Sequence, residues 1–325
     1  MPRWMHCQDA CTDRRYEQPR PALLEKMNLD ELGAPLIVYW DLNLQLPIDP
    51  QIIQRICDNL IANRIFILNL WDHSSCLSAE TFIILECLRN ENINISLTVY
   101  HSVLNALDFR NFLPALKKIL IQAESFEQLA SIIDKIQFKK TETPSVGISF
   151  AISEPTFKNI PDVLRLCSKT GINDIHFPIQ RSTGEQKIFW PDKEKFYWLL
   201  EESKNLKTDG LNIIIHDPFL WKIFNRGVKQ EEKRCQGGNT MVYISGNLDV
   251  TPCPLLPIVL GNLKSATLTE IFSSFERQQI RRQLSIPPHE CEKCDKLNEC
   301  NGGCRGRAYL IHKTFDKRDP ACTDH

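Results

Sequence analysis

The sequence lacks any apolar run of the roughly 18–20 residues that a helix needs to cross a bilayer. Its first twenty residues are charged and have no apolar centre, so no secretory signal is visible. A soluble, cytoplasmic protein with no membrane partner is the expectation. A charge surplus is missing too: 39 Lys+Arg stand against 40 Asp+Glu, a formal net charge of −1. That balance gives no reason to expect nucleic acid as a partner. No G-x-G-x-x-G follows the first apolar run, which argues against a dinucleotide-binding sheet. Tandem repeats and low-complexity segments are also absent. What is present suffices for a core: 42% hydrophobic residues over 325, the length of about two domains.

From Pro35 the chain takes on a rhythm. Compact apolar runs at Pro35–Asp41, Ile65–Leu70, Ile93–Tyr100, Lys118–Ile121, Val146–Ile152, Asp174–Pro178 and Leu211–His216 read as strands. Between them, Pro50–Asn63, Ser78–Arg89, Val103–Phe109, Ser125–Ile136, Thr156–Thr170 and Lys193–Asn205 read as helices, with Ser78 and Ser125 as caps. Regular βα alternation means an α/β fold with a parallel sheet, a partial or complete TIM-like barrel, with a doubly wound sheet as the competitor. Residues 1–33 read as an N-terminal extension, 34–220 as the barrel and 221–325 as a small, cysteine-rich, loop-dominated domain. Within the last of these, Met241–Val250 reads as a strand or turn. Ser265–Ser285 reads as a helix starting near Thr267 or Thr269, with Glu270 in its first turn.

Seven of the 13 cysteines crowd into this last region: Cys235, Cys253, Cys291, Cys294, Cys300, Cys304 and Cys322. An odd number cannot pair off as disulfides, and clustered cytosolic cysteines more often bind metal. Gly302-Gly303 and Gly237-Gly238 let backbone N–H groups approach sulfur. Seven thiolates suit iron–sulfur clusters, one complete site of four and one of three with an open iron. A closed four-cysteine zinc site is the second reading, and plain buried cysteines the third. Cys57, Cys76, Cys87 and Cys167 lie singly on apolar elements and read as small core residues.

Cys235-Gln-Gly-Gly, Pro252-Cys-Pro, Gly261-Asn-Leu, the Cys291–Cys304 run and Asp319-Pro-Ala-Cys322 together resemble the SPASM domain of radical SAM peptide maturases. The resemblance implies two auxiliary [4Fe-4S] clusters. Carried over, Cys291, Cys294, Cys300 and Cys322 hold one, and Cys235, Cys253 and Cys304 the other. His289 and His312 lie close enough in sequence to be candidates for the second cluster's fourth ligand. One departure stands out: Leu248 occupies the place where the family has glycine, five residues before Cys253, with Gly246 two residues earlier.

A weaker resemblance covers 35–220. Pro35–Asn43 looks like the first strand of a radical SAM barrel, but the following loop, Leu44–Pro50, has no C-x3-C-x2-C motif. Trp71-Asp72-His73-Ser74 stands where the family has a Gly-Gly-Glu stretch for the SAM amino group. Cys7-x3-Cys11 precedes the first strand and has Arg14 at the third position, so it reads as incidental. SAM is therefore not expected as a cofactor, no residue is assigned a catalytic role, and an independent radical SAM enzyme is not the expectation. The chain is similar to SPASM-only proteins such as those of GeoRSP-type peptide systems. That likeness implies a redox or scaffold partner of a separate radical SAM enzyme, acting on a small precursor peptide. Two alternatives remain: an unconventional active enzyme using an open cluster iron, and a zinc-stabilised interaction module.

The strand ends carry Asp72-His73, His101, Glu124, Ser153-Glu154, His176 and His216-Asp217, which a barrel would gather at one mouth. The plain alternative is that they cap loops. Arg305, Arg307, Lys313 and Arg318 read as a solvated basic surface or as an offset to cluster charge.

Overall fold

The structure is a computed structural model, described over residues 31–42, 47–105, 114–135, 144–182, 187–225 and 235–323. Residues 1–30 with Cys7 and Cys11, positions 44–46 after the first strand, and the end of the helix expected at 103–109 lie outside the described residues.

Strands β1 (Ile37–Leu42), β2 (Ile67–Asp72), β3 (Asn94–Tyr100), β4 (Lys118–Ala123), β5 (Ser145–Phe150), β6 (Asp174–Phe177) and β7 (Asn212–Ile215) alternate with helices. The helices are α1 (Pro50–Ala62), α2 (Ala79–Cys87), α3 (Phe126–Lys135), α4 (Ile160–Thr170), α5 (Lys193–Ser203) and α6 (Pro218–Phe224). After β3 the chain takes a short 3-10 turn, His101–Asn105. In α1 the apolar spacing buries Ile53, Ile56, Cys57 and Leu60, while Asp49 caps its first turn and Pro50 fits a position with no N–H to satisfy. Ser78 caps α2, and Ser125 Oγ accepts from the Gln128 N–H at the start of α3.

All seven strands pair in parallel and in chain order. Right-handed crossovers that always step the same way put every helix on one face of the sheet. That order is the barrel pattern and not the doubly wound one, in which the direction reverses. The sheet keeps two edges, β7 and the far strand of the C-terminal region, so the barrel is partial.

The C-terminal region extends the same sheet. Strand β8 (Met241–Ile244) pairs in parallel with β1, Ile37 opposite Met241. Strands β9 (Asp249–Thr251) and β10 (Gly261–Asn262) follow as antiparallel neighbours. The turn into β9 is made by Leu248, with φ +68 and a fully buried side chain. Leucine thus adopts the left-handed conformation that glycine would take freely. Its N–H donates to Ser245 O, its C=O accepts from Leu263, and its side chain joins the core of Val242, Val250 and Leu263. Packing offsets the strain.

Two expectations change here. The helix expected over Ser265–Ser285 is two helices, α7 (Leu268–Ser273) and α8 (Phe275–Ser285), because Ser274 is extended and its Oγ caps α8 through the Arg277 N–H. Thr267 and Glu270 form a reciprocal capping box on α7. The cysteine-rich remainder is not all loop. It contains α9 (Leu297–Cys300) and α10 (Arg305–His312), the latter capped by the sulfur of Cys304.

Candidate functional site

The seven cysteines are held by backbone turns that other side chains fix. The Cys235–Gly238 turn is clamped from α8. Arg281 Nη1 donates to Cys235 O at 2.6 Å and Gly237 O at 2.9 Å, and Arg277 Nε donates to Gly238 O at 2.7 Å. Cys253 follows β9, and the Leu256 N–H donates to its backbone oxygen at 3.3 Å. Cys291 and Cys294 sit on a tight turn, with Cys294 N donating to Cys291 O at 3.0 Å.

Between Cys300 and Cys304, three consecutive residues are left-handed: Asn301, Gly302 and Gly303. A Cβ at Gly302 would lie 2.7 Å from Pro288 Cδ, and one at Gly303 would lie 2.6 Å from Asp319 Cβ. Both glycines are therefore required by space as well as by φ. The reversal places Cys304 at the N-terminus of α10, where the Arg307 N–H approaches its sulfur at 3.5 Å.

Electrostatic influence links the thiols in two sets. Cys253 interacts electrostatically with Cys235 and Cys304, and Cys304 with Cys235. Cys291 interacts with Cys300, Cys322 and Cys294. Burial pushes the Cys304 thiol up to about 12 and the Cys291 thiol up to about 11, and neighbouring thiols push the same way. A positively charged core would reverse that preference and hold thiolates. Among the described residues, no three His, Cys, Asp or Glu groups converge on the position of a single metal ion. Cys235, Cys253 and Cys304, together with Cys300, line a cavity of about 300 Å³, whose other walls include Gln236, Arg305 and His216.

Buried cations surround these thiols. Arg307 is 2% exposed and binds Asp319, itself 1% exposed, through Nε (2.6 Å) and Nη2 (2.7 Å). Its Nη1 donates to Asp217, at the end of β7, which also caps α6. Asp319 in turn accepts from Cys304 N at 2.6 Å. This chain of charges ties the barrel, Cys304 and the Asp319–Cys322 turn together. Arg305 is equally buried, but its Nε and Nη1 have no partner. The expectation of a solvated basic surface therefore fails for Arg305 and Arg307. Arg318 pairs with Glu290, and Lys313 is an exposed, left-handed C-cap.

The barrel mouth is a second cavity, of about 1350 Å³. At its floor Asp41, the last charged residue of β1, accepts from Arg181 Nε and Nη2, both at 2.9 Å. Tyr243 Oη of β8 donates to Asp41 at 3.1 Å, and His73 Nε2 stands 3.8 Å away. Arg181 lies 4.4 Å above the Trp71 ring, which stacks on His73. Burial alone would raise the Asp41 pKa, but the Arg181 guanidinium pulls it down to about 2.

Of the strand-end polar residues, His73, Glu124, Ser153 and Glu154 line this mouth. Asp72 does not: it is fully buried, and its carboxylate accepts from Ser74, Ser78 and Thr81, fixing the entry to α2. His176 keeps a buried, unpartnered Nε2, and burial holds its pKa down at about 3. His101 begins the turn after β3 with a buried, unpartnered Nδ1. His216 and Asp217 line the thiol cavity instead, with Tyr39 Oη 3.1 Å from His216 Nε2. Much of the His216 ring is bare because it faces that cavity, and burial with Arg181 nearby holds its pKa down at about 4. His289 and His312 are exposed and line neither cavity.

Cys57 and Cys167 are buried as expected, whereas Cys87 is half-buried and Cys76 is exposed, so Cys76 is no core residue. Sequence reasoning missed Asp41, Arg181 and Tyr243. The one available signal was a carboxylate closing an otherwise apolar strand.

Residues 235–295 match the family model of the SPASM iron–sulfur cluster-binding domain. The chain is 24% identical over 220 residues to the AdoMet-dependent heme synthase of Methanosarcina barkeri, covering 61% of this chain and 60% of that one. It spans 53–60% of the length of the curated heme synthases it matches. Its fold is similar to that of Streptococcus suis SuiB bound to the precursor peptide SuiA, with TM-score 0.67 and 13% identity over 94% of this chain and 79% of that one. It is also similar to anSMEcpe with bound AdoMet and the Cp18Cys peptide, with TM-score 0.61 and 14% identity over 89% and 94%. These matches show an α/β partial barrel fold like that of SuiB and anSMEcpe, with a cysteine-rich C-terminal region that matches the SPASM domain over residues 235–295. No described helix is long and apolar enough to cross a membrane.

Proposed function

We propose that this radical SAM/SPASM-type chain carries two auxiliary iron–sulfur clusters, does not cleave SAM itself, and serves a separate radical SAM enzyme as a redox or docking partner. The observation behind this reading is the gathering of Cys235, Cys253, Cys300 and Cys304, drawn from distant parts of the sequence, on the wall of one cavity. Three features suit the residues to inorganic clusters. These are the four cysteines on one cavity wall, the Cys304 sulfur at a helix N-terminus, and the unpaired donors of Arg305. A [4Fe-4S] cluster bound there would supply one-electron redox chemistry.

Two features of the barrel support the loss of SAM cleavage. The described residues lining the mouth include no cysteine, and Asp41 at its floor is already neutralised by Arg181. Asp72, where the family contacts the SAM amino group, spends its carboxylate on three hydroxyls of its own chain.

The mouth remains open and suits a peptide. Trp71 Nε1 is an unpaired donor and Gln122 Oε1 an unpaired acceptor at its wall, which matches the two polar groups of a peptide bond. SuiB and anSMEcpe were each solved with a peptide bound, which makes a precursor peptide the preferred ligand class.

Iron, sulfide and zinc are measured after anaerobic reconstitution, with EPR of the reduced protein with and without SAM. About eight irons per chain and spectra indifferent to SAM are expected. A SAM-shifted signal would instead mean an enzyme working at an open iron, and stoichiometric zinc would mean a structural module. Cys294→Ala should lower the iron content by about four per chain. Full iron retention in that variant would remove Cys294 from the ligand set.

A further inference from the structure

Arg305 is buried between the two thiol groups with half of its hydrogen-bonding capacity idle. Its Nη2 donates to Phe315 O at 2.5 Å, and its guanidinium carbon lies 5.7 Å from the Phe315 ring centroid, so one end is pinned. Nε and Nη1 have no partner, although the side chain is only 2% exposed. A buried cation with unmet donors is costly and calls for an acceptor. Arg305 lines the cavity shared by Cys235, Cys253, Cys300 and Cys304 and interacts with Cys235 and Cys304 there. It also interacts with Cys291 of the four-thiol group. Arg307, two residues on, shows what a purely structural arginine looks like in this fold: each of its three nitrogens donates to a carboxylate of Asp319 or Asp217. Arg305 has no carboxylate within hydrogen-bonding distance, and Asp316 acts on it only through its charge.

We propose that Arg305 is a positioning residue that bridges the two cluster sites, with Nε–H and Nη1–H directed at sulfur on either side. This rests on the two-cluster reading above. Reduction adds one negative charge to a cluster. A fixed cation in a low-dielectric site stabilises that added charge, and so do N–H···S hydrogen bonds. One guanidinium facing both sites therefore raises both reduction potentials together. A lysine would keep the charge but not the planar fork that reaches two acceptors.

The test uses the full chain, anaerobically reconstituted, as wild type, R305M, R305K and R318M. Iron content is measured first, and then each cluster's potential by redox titration followed by EPR. In R305M both potentials should fall with iron unchanged, and in R305K both should fall by less. R318M should move only the four-thiol cluster, because Arg318 acts on Cys291. If R305M keeps its iron and one or both potentials stay put, the bridge is wrong. If R305M loses iron, R305K decides, and unchanged potentials there overturn the proposal. Wild-type protein holding fewer than two clusters removes the underlying reading first, and the bridge with it.

Discussion

Two buried arginines show how the halves of this molecule differ. At the barrel mouth, Arg181 is fully engaged: Asp41 takes Nε and Nη2, and Ile179 O takes Nη1. In the cysteine region, Arg305 has two idle nitrogens among seven cysteines, and burial pushes up the thiols of Cys253, Cys291 and Cys304. The buried charge of Arg181 at the mouth is met by a carboxylate, although Trp71 Nε1 and Gln122 Oε1 there are not paired. The buried charge of Arg305 in the cysteine region is left with open donors, which suits the proposed clusters. Stability in the first half should be indifferent to bound cofactors, and in the second half should depend on them.

The strongest way to break that contrast is Asp319→Ala. It leaves Arg307 charged and 2% exposed without its bidentate partner, and it removes the acceptor for Cys304 N. A cost of about 3–5 kcal/mol is expected from a broken buried pair, together with lost iron. Urea denaturation of the reconstituted protein, with iron counted before and after, checks both. Normal stability and iron content would mean that the charge chain does not support the thiols.

Asp41→Asn is the matching test at the mouth, with a smaller effect and a pH signature. The Asp41 pKa is about 2 when folded, against 3.8 for a free carboxylate. A depressed pKa contributes stability above the unfolded value and loses it as pH falls through the folded one. Wild type should therefore exceed the variant by about 2 kcal/mol at neutral pH, a gap that closes between pH 4 and pH 2. Iron content should not change. Iron lost on the scale of the Asp319 variant would show that the mouth, too, holds a cluster.

Thr267→Ala sharpens the comparison from outside both regions. Removing the capping box of α7 should cost about 1 kcal/mol and leave metal content and pH response untouched.

The barrel was legible because its signals are local. Apolar runs such as Ile65–Leu70 and capped periodic stretches such as Pro50–Ala62 carry their own period, and the sheet order follows from handedness. The assignment of Cys304 to a second set of thiols rests on family resemblance, since spacing alone would keep it with Cys300. Helix α10 was not legible, because its cap is a cysteine and its first turn reads Arg-Gly-Arg. Burial of Arg305 and Arg307 was hidden for a different reason. Cations read as surface residues until Asp217 and Asp319, far apart in sequence, are brought to the same place. The same limit applies to Asp41 and Arg181, 140 residues apart.

The pairing of β8 with β1 has a consequence for synthesis. One edge of β1 stays unpaired on the emerging chain until Met241–Ile244 has left the ribosome, so an open strand edge is exposed through most of translation. Its partner then arrives flanked by Cys235 and Cys253. The last ladder of the barrel and the first two members of the thiol set thus become available within the same short interval. A cell short of iron at that moment would be left with a barrel whose edge strand is held by an unfinished neighbour, a natural target for quality control.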